Sequence, residues 1–271
     1  MKNIKVKVAS NQKIAPACFR MVLSGPFENF HIQPGQFIML RIGNGYDPLL
    51  RRPFAAYLLK TSKKISLEIF YAVIGRGTRI MSGIPPNAAL ELLGPLGNGF
   101  NISEGITGAL IVAGGMGIVP LRALIYTLLD KQAHPIHLFM GAKSAAHLLF
   151  HKEFQNKNFF VHVSTEDGSS GHHGLVTEIF SHFLENYDIK KGNTICFTCG
   201  PHAMLQEVAS IASQYCLSCQ VSLETRMACG IGVCLGCAVK LSSHSMNASG
   251  SAHYGRVCID GPVFDAREVA W

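Results

Sequence analysis

Apolar and polar residues alternate along Lys2–Val8, and strand-like runs of similar length return at Gln36–Ile42 and Lys64–Tyr71. A period of two sends successive side chains to opposite faces, which marks a strand with one face buried. Turn signals stand between the runs: Gln33-Pro34-Gly35, Gly43-Asn44-Gly45 and Pro85-Pro86-Asn87. Many short strands with regular turns predict a small antiparallel barrel over residues 1–102. Beyond it, apolar runs alternate with helical patterns. Ala109–Ala113 reads as a strand, followed by a glycine turn and a helix through Asp130. Pro135–Met140, Phe159–Ser164, Thr194–Thr198 and Gln220–Leu223 read as further strands. This alternation predicts an α/β unit over 103–222, a parallel sheet with helices on both faces. Such sheets bind ligands beyond the C-terminal ends of their strands, where the strand order reverses. Residues 223–271 are too few to bury a core of their own, so they need a metal or a partner. Within them Ser242–Ser251 is a biased stretch that reads as a loop.

A chain of 271 residues suits two domains and an appendage. Apolar residues at 48% and charged residues at 15% supply ample core and exclude a disordered chain. The N-terminus lacks the apolar stretch of a signal peptide, and Ala109–Pro120 is too short and glycine-rich to span a bilayer. The expectation is a cytoplasmic protein with no membrane partner. The net charge of +7 comes from scattered Lys and Arg without a dense run, which argues against nucleic acid.

Nine cysteines, an odd number without a secretion signal, argue against a disulfide framework. Cys229, Cys234 and Cys237 follow a C-x4-C-x2-C spacing, and Cys258 stands downstream. That is the plant-type [2Fe–2S] arrangement, in which four thiolates converge from a wrapping loop. Gly230, Gly232 and Gly236 let backbone N–H groups turn toward the sulfurs. The competing readings are a four-cysteine zinc site and four buried, unligated thiols. Zinc takes C-x2-C pairs, and within this cluster only Cys234–Cys237 has that spacing. A second arrangement, Cys196-x2-Cys199 and Cys216-x2-Cys219 with sixteen residues between, has zinc-ribbon spacing. Strand positions three apart face opposite sides, so Cys196 and Cys199 do not converge. Cys196, Cys216 and Cys219 are expected as small buried apolar residues.

Arg51-Arg52-Pro53-Phe54-Ala55 follows a barrel strand, and Gly75-Arg76-Gly77-Thr78 opens a short helix. An arginine beside a glycine-rich helix start suits a pyrophosphate, and the two together point to a flavin nucleotide. Either alone is as readily a surface turn or a plain helix start. Gly114, Gly115 and Gly117 lie in a strand-to-helix turn ending at Pro120, which is not the dinucleotide fingerprint. Cys199-Gly200-Pro201 repeats the design at a later strand end. Two such turns on one sheet edge predict a binding crevice, though tight turns also require small residues.

In this order, RRPF, GRGT, the glycine turn through Leu121 and Cys199–Met204 resemble the ferredoxin–NADP reductase superfamily. The stretch Glu224–Cys237, followed by Arg256–Phe264, is similar to the electron-transfer subunits of type 1B dihydroorotate dehydrogenase. The resemblance covers essentially the whole chain. It implies an N-terminal FAD-binding barrel, an NAD-binding α/β domain and a C-terminal [2Fe–2S] segment. It also implies an FMN-containing catalytic subunit, joined in a heterotetramer of two chains of each kind in pyrimidine biosynthesis. Electrons would pass from FMN through the cluster and FAD to NAD⁺. By this resemblance Arg52, Pro53, Phe54 and Ala55 match a FAD motif. Phe70, Tyr71 and Ala72 match the strand beside the flavin ring, and Gly77 and Thr78 match a pyrophosphate motif. Cys229, Cys234, Cys237 and Cys258 match the cluster ligands. Three departures stand out: Ala55 replaces Ser or Thr, Ala113-Gly114-Gly115 replaces three glycines, and the loop before Cys258 carries His244 and His253, read as solvent residues. Lys143 and Ser144 follow a sheet strand where a 2′-phosphate would sit, but read as a solvated turn. Hydride moves directly between nicotinamide and flavin, so no catalytic side chain is expected. The alternatives are a reductase subunit of another complex, of sulfhydrogenase or NADH-dependent ferredoxin reductase type, and a zinc-stabilised non-enzymatic protein.

Overall fold

The computed structural model describes all residues except 44, 62–63, 103–104, 156–158, 188–192 and 243–252, which leaves His244 outside the described residues. The N-terminal half holds β1 (Lys2–Ala15), β2 (Cys18–Ser24), β3 (Phe37–Arg41), β4 (Arg52–Lys60), β5 (Ile65–Ala72), α1 (Arg76–Ser82) and β6 (Ala89–Leu96). The six strands close into an antiparallel barrel in the order β1-β2-β5-β4-β3-β6. Val6, Val8, Met21, Leu23, Ile38, Leu40, Leu67, Ile69 and Leu92 fill its core with Phe27 and Phe30. Two features differ from the expected strands. β1 runs on past Val8 to Ala15, with register shifts between Val8 and Ser10 and between Lys13 and Ala15. β4 has no alternation to reveal it, because every position from Arg52 to Leu59 is half-buried.

The second half holds β7 (Gly108–Gly114), α2 (Ile118–Asp130), β8 (Ile136–Ala142), α3 (His151–Phe154), β9 (Phe160–Thr165), β10 (His172–His173), α4 (Val176–Asn186), β11 (Thr194–Cys199), α5 (His202–Gln214) and β12 (Ser218–Ser222). The last stretch adds β13 (Ala238–Lys240), β14 (Tyr254–Arg256) and β15 (Val263–Asp265). The sheet order is β10-β9-β8-β7-β11-β12-β15, parallel except for the antiparallel pairing of β15 on β12. β7 is buried at every position, as a central strand covered on both faces must be. The order reverses between β7 and β11, which puts the switch point between the two glycine-bearing turns.

One core lies on each face of the sheet. Cys196 belongs to one and Cys199 to the other, as the three-residue spacing requires. Cys196 stands opposite Cys219 across β11 and β12, and both are buried. Cys216 departs from expectation: it is exposed in the left-handed turn after α5, with φ +54°, where its side chain meets no core. The C-terminal segment is built into the body. Val257, Cys258, Phe264 and Val269 share a core with Phe37 and Met39 of the barrel. Among the described residues, no helix is long and apolar enough to cross a membrane.

Candidate functional site

The cysteine loop stands against the barrel. Gly230 and Gly232 have φ of +72° and +80°, and a Cβ on Gly230 would come within 2.7 Å of Met39 Cγ. Only glycine permits both the turn and the approach. The turn aims N–H groups at sulfur: Gly232 N–H donates to Cys258 Sγ at 3.1 Å, and Ile231 N–H to Cys229 Sγ at 3.4 Å. The thiols form two pairs. Cys237 and Cys258 are buried with their sulfurs 3.2 Å apart. Cys229 is half-buried, Cys234 is exposed, and the Cys234 thiol donates to Cys229. Desolvation raises the Cys229 thiol, but the N–H groups of Ile231, Cys234 and Val233 outweigh it and bring it down to about 6. Burial and the Cys237 thiol push Cys258 up to about 12, against the Gly232 N–H.

Among the described residues no three His, Cys, Asp or Glu side chains close round one point. Two thiol pairs under inward N–H donors fit a two-iron cluster, each iron taking two thiolates, better than a tetrahedral zinc quartet. His253 is half-buried, its carbonyl accepting from Leu241 N–H at 2.9 Å, so it is not the free solvent residue expected. Ile231, Val233, Leu235 and Ile259 form an exposed apolar rim, with Val233 76% exposed.

On the barrel, Arg52 opens β4 and its guanidinium lies on the first turn of α1. A Cβ on Gly77 would stand 2.9 Å from Arg52 Nε. Thr78 Oγ1 accepts from the N–H groups of Ile74 and Gly75 at 3.0 and 3.2 Å, so this hydroxyl closes the turn. The Phe54 and Tyr71 rings lie 6.0 Å apart. Tyr71 points into the barrel, 2% exposed, and donates to Asn11 Oδ1 at 2.9 Å. Its side chain is therefore withdrawn from the surface that Ala55, Phe70 and Ala72 turn toward the sheet domain. Ala72 pairs with Cys18, and Cys18 Sγ lies 3.8 Å from Met116 Sδ of the glycine turn. The flavin-motif strands and the glycine turn thus meet.

At the sheet edge the two turns pack backbone against backbone. A Cβ on Gly117 would fall 2.0 Å from the Cys199 carbonyl oxygen, and one on Gly114 would fall 2.8 Å from Pro201 Cδ. A Cβ on Gly200 would approach Gly114 Cα at 3.1 Å. These three glycines are demanded by packing. Of the glycines in these two turns, Gly115 combines a positive φ, +53°, with open space around its would-be Cβ. Burial pushes the Cys199 thiol far up and the nearby Glu224 charge adds to it, while Ser222 and the Gly200 N–H oppose. Desolvation by its neighbours also raises the Glu224 carboxyl, although the residue is exposed. Ser222 did not stand out in the sequence, and Glu224 figured only as the first residue of the stretch that carries the resemblance; the signal was their position at and just past the end of β12, ahead of the cysteine loop. Lys143 is exposed, and Ser144 Oγ is engaged with His147 Nδ1 at 2.8 Å. A separate cavity of about 360 Å³ lies between β9 and α4, lined by His162, Phe183 and Tyr187 among others, away from both turns.

A closed antiparallel barrel, a parallel sheet with its crevice at the switch point and a paired-thiol loop define a ferredoxin reductase-like electron-transfer protein. The family model for the iron-sulfur cluster binding domain of dihydroorotate dehydrogenase B matches residues 224–270, and that for the oxidoreductase NAD-binding domain matches 111–210. The dihydroorotate dehydrogenase B (NAD(+)) electron transfer subunit of Caldanaerobacter subterraneus subsp. tengcongensis is 38% identical over 98% of both chains. That of Desulforamulus reducens is 33% identical over 98% of this chain and 97% of its own. The chain belongs to the family of dihydroorotate dehydrogenase B (NAD(+)) electron transfer subunits. Among solved structures, a chain of the NADH-dependent reduced ferredoxin–NADP oxidoreductase superposes with a TM-score of 0.81 at 26% identity, covering 98% of this chain and 90% of that one. Phthalate dioxygenase reductase shares the fold at a TM-score of 0.65 and 17% identity, covering 94% of each chain.

Proposed function

We propose that this chain carries electrons between an FMN-containing dihydroorotate dehydrogenase catalytic subunit and NAD⁺, through a [2Fe–2S] cluster and FAD, in pyrimidine biosynthesis. The observation that carries the reading is the double thiol pair under inward N–H donors, set in a segment that the cluster-domain family model matches. Cys229 with Cys234, and Cys237 with Cys258, hold the cluster. Arg52 pairs with the FAD pyrophosphate at the Gly77–Thr78 turn, and Pro53, Phe54, Ala55, Phe70 and Ala72 form the wall for the flavin. Tyr71 supports that wall from inside the barrel. The turns at Gly114, Gly115, Gly117 and at Cys199, Gly200, Pro201 receive the nicotinamide dinucleotide, with Gly115 as the open point of approach. When bound, FAD exchanges a hydride with nicotinamide and single electrons with the cluster, and this is the chemistry the groups supply. The side chains bind and orient, and none acts as catalyst.

In this reading residues 1–102 form the FAD domain, 103–222 the NAD domain and 223–271 the cluster domain. The exposed apolar rim of Ile231, Val233, Leu235 and Ile259 meets the catalytic subunit, in a cytoplasmic heterotetramer of two chains of each kind. The test is purification of the chain alone. It should carry flavin and two irons and pass electrons from NADH to an artificial acceptor. It should turn over dihydroorotate only after the FMN subunit is added. A colourless preparation, or dihydroorotate turnover by the single chain, overturns the reading.

A further inference from the structure

The strands that carry the flavin-wall residues and the helix that starts at the glycine turn are joined by one buried side chain. Arg122 lies on α2, just beyond the turn, and is 13% exposed. Its Nη1 donates to Glu68 Oε2 on β5 at 3.2 Å. Its Nε and Nη2 donate to the two carboxylate oxygens of Glu153 on α3 at 2.9 and 3.4 Å. Four rings surround the guanidinium: Tyr57 of β4 at 5.1 Å, Phe70 of β5 at 5.8 Å, Tyr126 of α2 at 5.5 Å and Phe150 at 5.1 Å. Two of these belong to the barrel and two to the sheet domain. Phe70 is itself a flavin-wall residue, and it meets Phe150 edge-on at 4.8 Å.

Glu68 is 2% exposed, and its other oxygen accepts from Arg20 Nε at 2.8 Å. Two arginines therefore neutralise two glutamates, as burial of these charges demands. A planar cation held bidentately and stacked among rings has little freedom to swing, which a lysine could not reproduce.

We propose that Arg122 is a positioning residue for NAD-linked electron transfer: it clamps β4–β5 to α2 and so sets the flavin against the nicotinamide. This rests on the function proposed above. Hydride transfer depends steeply on donor–acceptor placement, with about 1 Å of misplacement costing on the order of 100-fold in rate. The clamp touches neither turn directly, so loosening it changes the rate more than the binding.

Arg122→Met keeps an apolar stem among the four rings. It leaves Glu68 paired with Arg20, and Glu153 is already 30% exposed, so no buried charge is stranded. Glu68→Gln removes the charge of the same link from the barrel side, and Arg20, 35% exposed, keeps access to solvent. In anaerobic rapid mixing of the full chain with NADH, both variants should retain flavin and iron. Their limiting rate of flavin reduction should fall at least 10-fold, with the apparent Kd for NADH within about threefold of wild type. The double variant should be no slower than the slower single variant, because both break one link. Arg122→Lys should recover part of the rate. Hydrogen–deuterium exchange, a readout independent of turnover, should rise on β4–β5 and at the start of α2 in both single variants. A limiting rate within twofold of wild type, whether or not thermal stability falls, overturns the proposal. So does FAD loss with a normal rate in the fraction that keeps it. Failure of NADH to reduce the wild-type flavin counts instead against the proposed function.

Discussion

Alanine at position 117 would place its Cβ 2.0 Å from the Cys199 carbonyl oxygen, a backbone atom that cannot turn aside. The two turns would have to separate, and overpacking of this kind costs about 1–3 kcal/mol or more. Alanine at 115 meets nothing within 4 Å, so it bears only the strain of φ +53°, about 1–2 kcal/mol. Gly117→Ala should therefore lower the thermal midpoint more than Gly115→Ala does, and equal midpoints would contradict the packing described. Arg52 makes the contrasting case. Its guanidinium is half-exposed and makes its described hydrogen bonds to the carbonyls of Leu50 and Arg51, so Arg52→Ala removes little from the folded chain. Under the proposed function it also removes a charged partner of a phosphate. The variant should keep its cysteine-bound iron and thermal stability yet lose flavin on gel filtration, and unchanged flavin content would take Arg52 out of the site. Spacing singled out Cys229, Cys234 and Cys237, which lie within one loop, whereas Cys258 stands 21 positions further on and only the fold brings its sulfur beside Cys237. The Arg20–Glu68–Arg122–Glu153 network was not legible, since its members stand 31 to 54 positions apart along the direct contacts and nothing local marks them. Tyr71 belongs to both cases. Its place on a barrel strand was readable, whereas the direction of its ring depended on Asn11, sixty residues earlier.

The elements tell the same story at longer range. β7 was read within one residue of each end, because a buried central strand is a continuous apolar run closed by glycine. β4 was missed, because half-burial on both faces erases the period of two. That half-burial is itself informative, since β4 carries Arg52 to Ala55 and borders the α2 clamp. The C-terminal segment differs from a free-standing metal module. β15 extends the sheet through Gln220–Asp265, Val221–Phe264 and Ser222–Val263, and Asn98 Nδ2 donates to the carbonyls of Ile259 and Asp260 at 3.1 and 3.0 Å. The thiol loop has less support: Arg256 Nη1 donates to the Gly232 carbonyl at 3.4 Å and the Val257 N–H to that of Cys237 at 3.1 Å, while its inward N–H groups are satisfied by sulfur. Removing iron with a chelator under reducing conditions should therefore unfold residues 229–237 while β12 and β15 stay paired. Hydrogen–deuterium exchange would report fast amides in the loop beside protected amides in β15. Uniform loss of protection from 223 to 271 would mean that the metal, and not the sheet, holds the segment.

For the whole molecule, the arrangement sets three stations in sequence: the apolar rim with the thiol pairs, the β4–β5 wall and the crevice between the two turns. The first packs through Gly230 on Met39 of β3, which pairs with Pro53 of β4, and Cys18 of β2, which pairs with Ala72 of β5, meets Met116 at the third. Damage at the first station should therefore leave the other two working. Cys234 is the most exposed of the four thiols and lies on the rim, so Cys234→Ser alters the outer pair without disturbing the buried one. Serine offers iron a harder and poorer ligand than thiolate. The variant should lose its [2Fe–2S] absorption bands, keep FAD in the barrel, whose strands do not include the outer thiol pair, and still allow NADH to reduce that flavin at close to the wild-type rate. In the complex with the catalytic subunit, NAD⁺-linked oxidation of dihydroorotate should collapse by at least 100-fold, because the proposed electron path loses its first centre. Binding to the catalytic subunit should also weaken, since the rim residues Val233 and Leu235 flank the altered residue. The two assays separate the outcomes. Loss of both activities would place Cys234 in the fold of the whole chain. Normal iron content with full coupled turnover would remove it from the ligand set and break the pairing of Cys229 with Cys234 on which the functional reading stands.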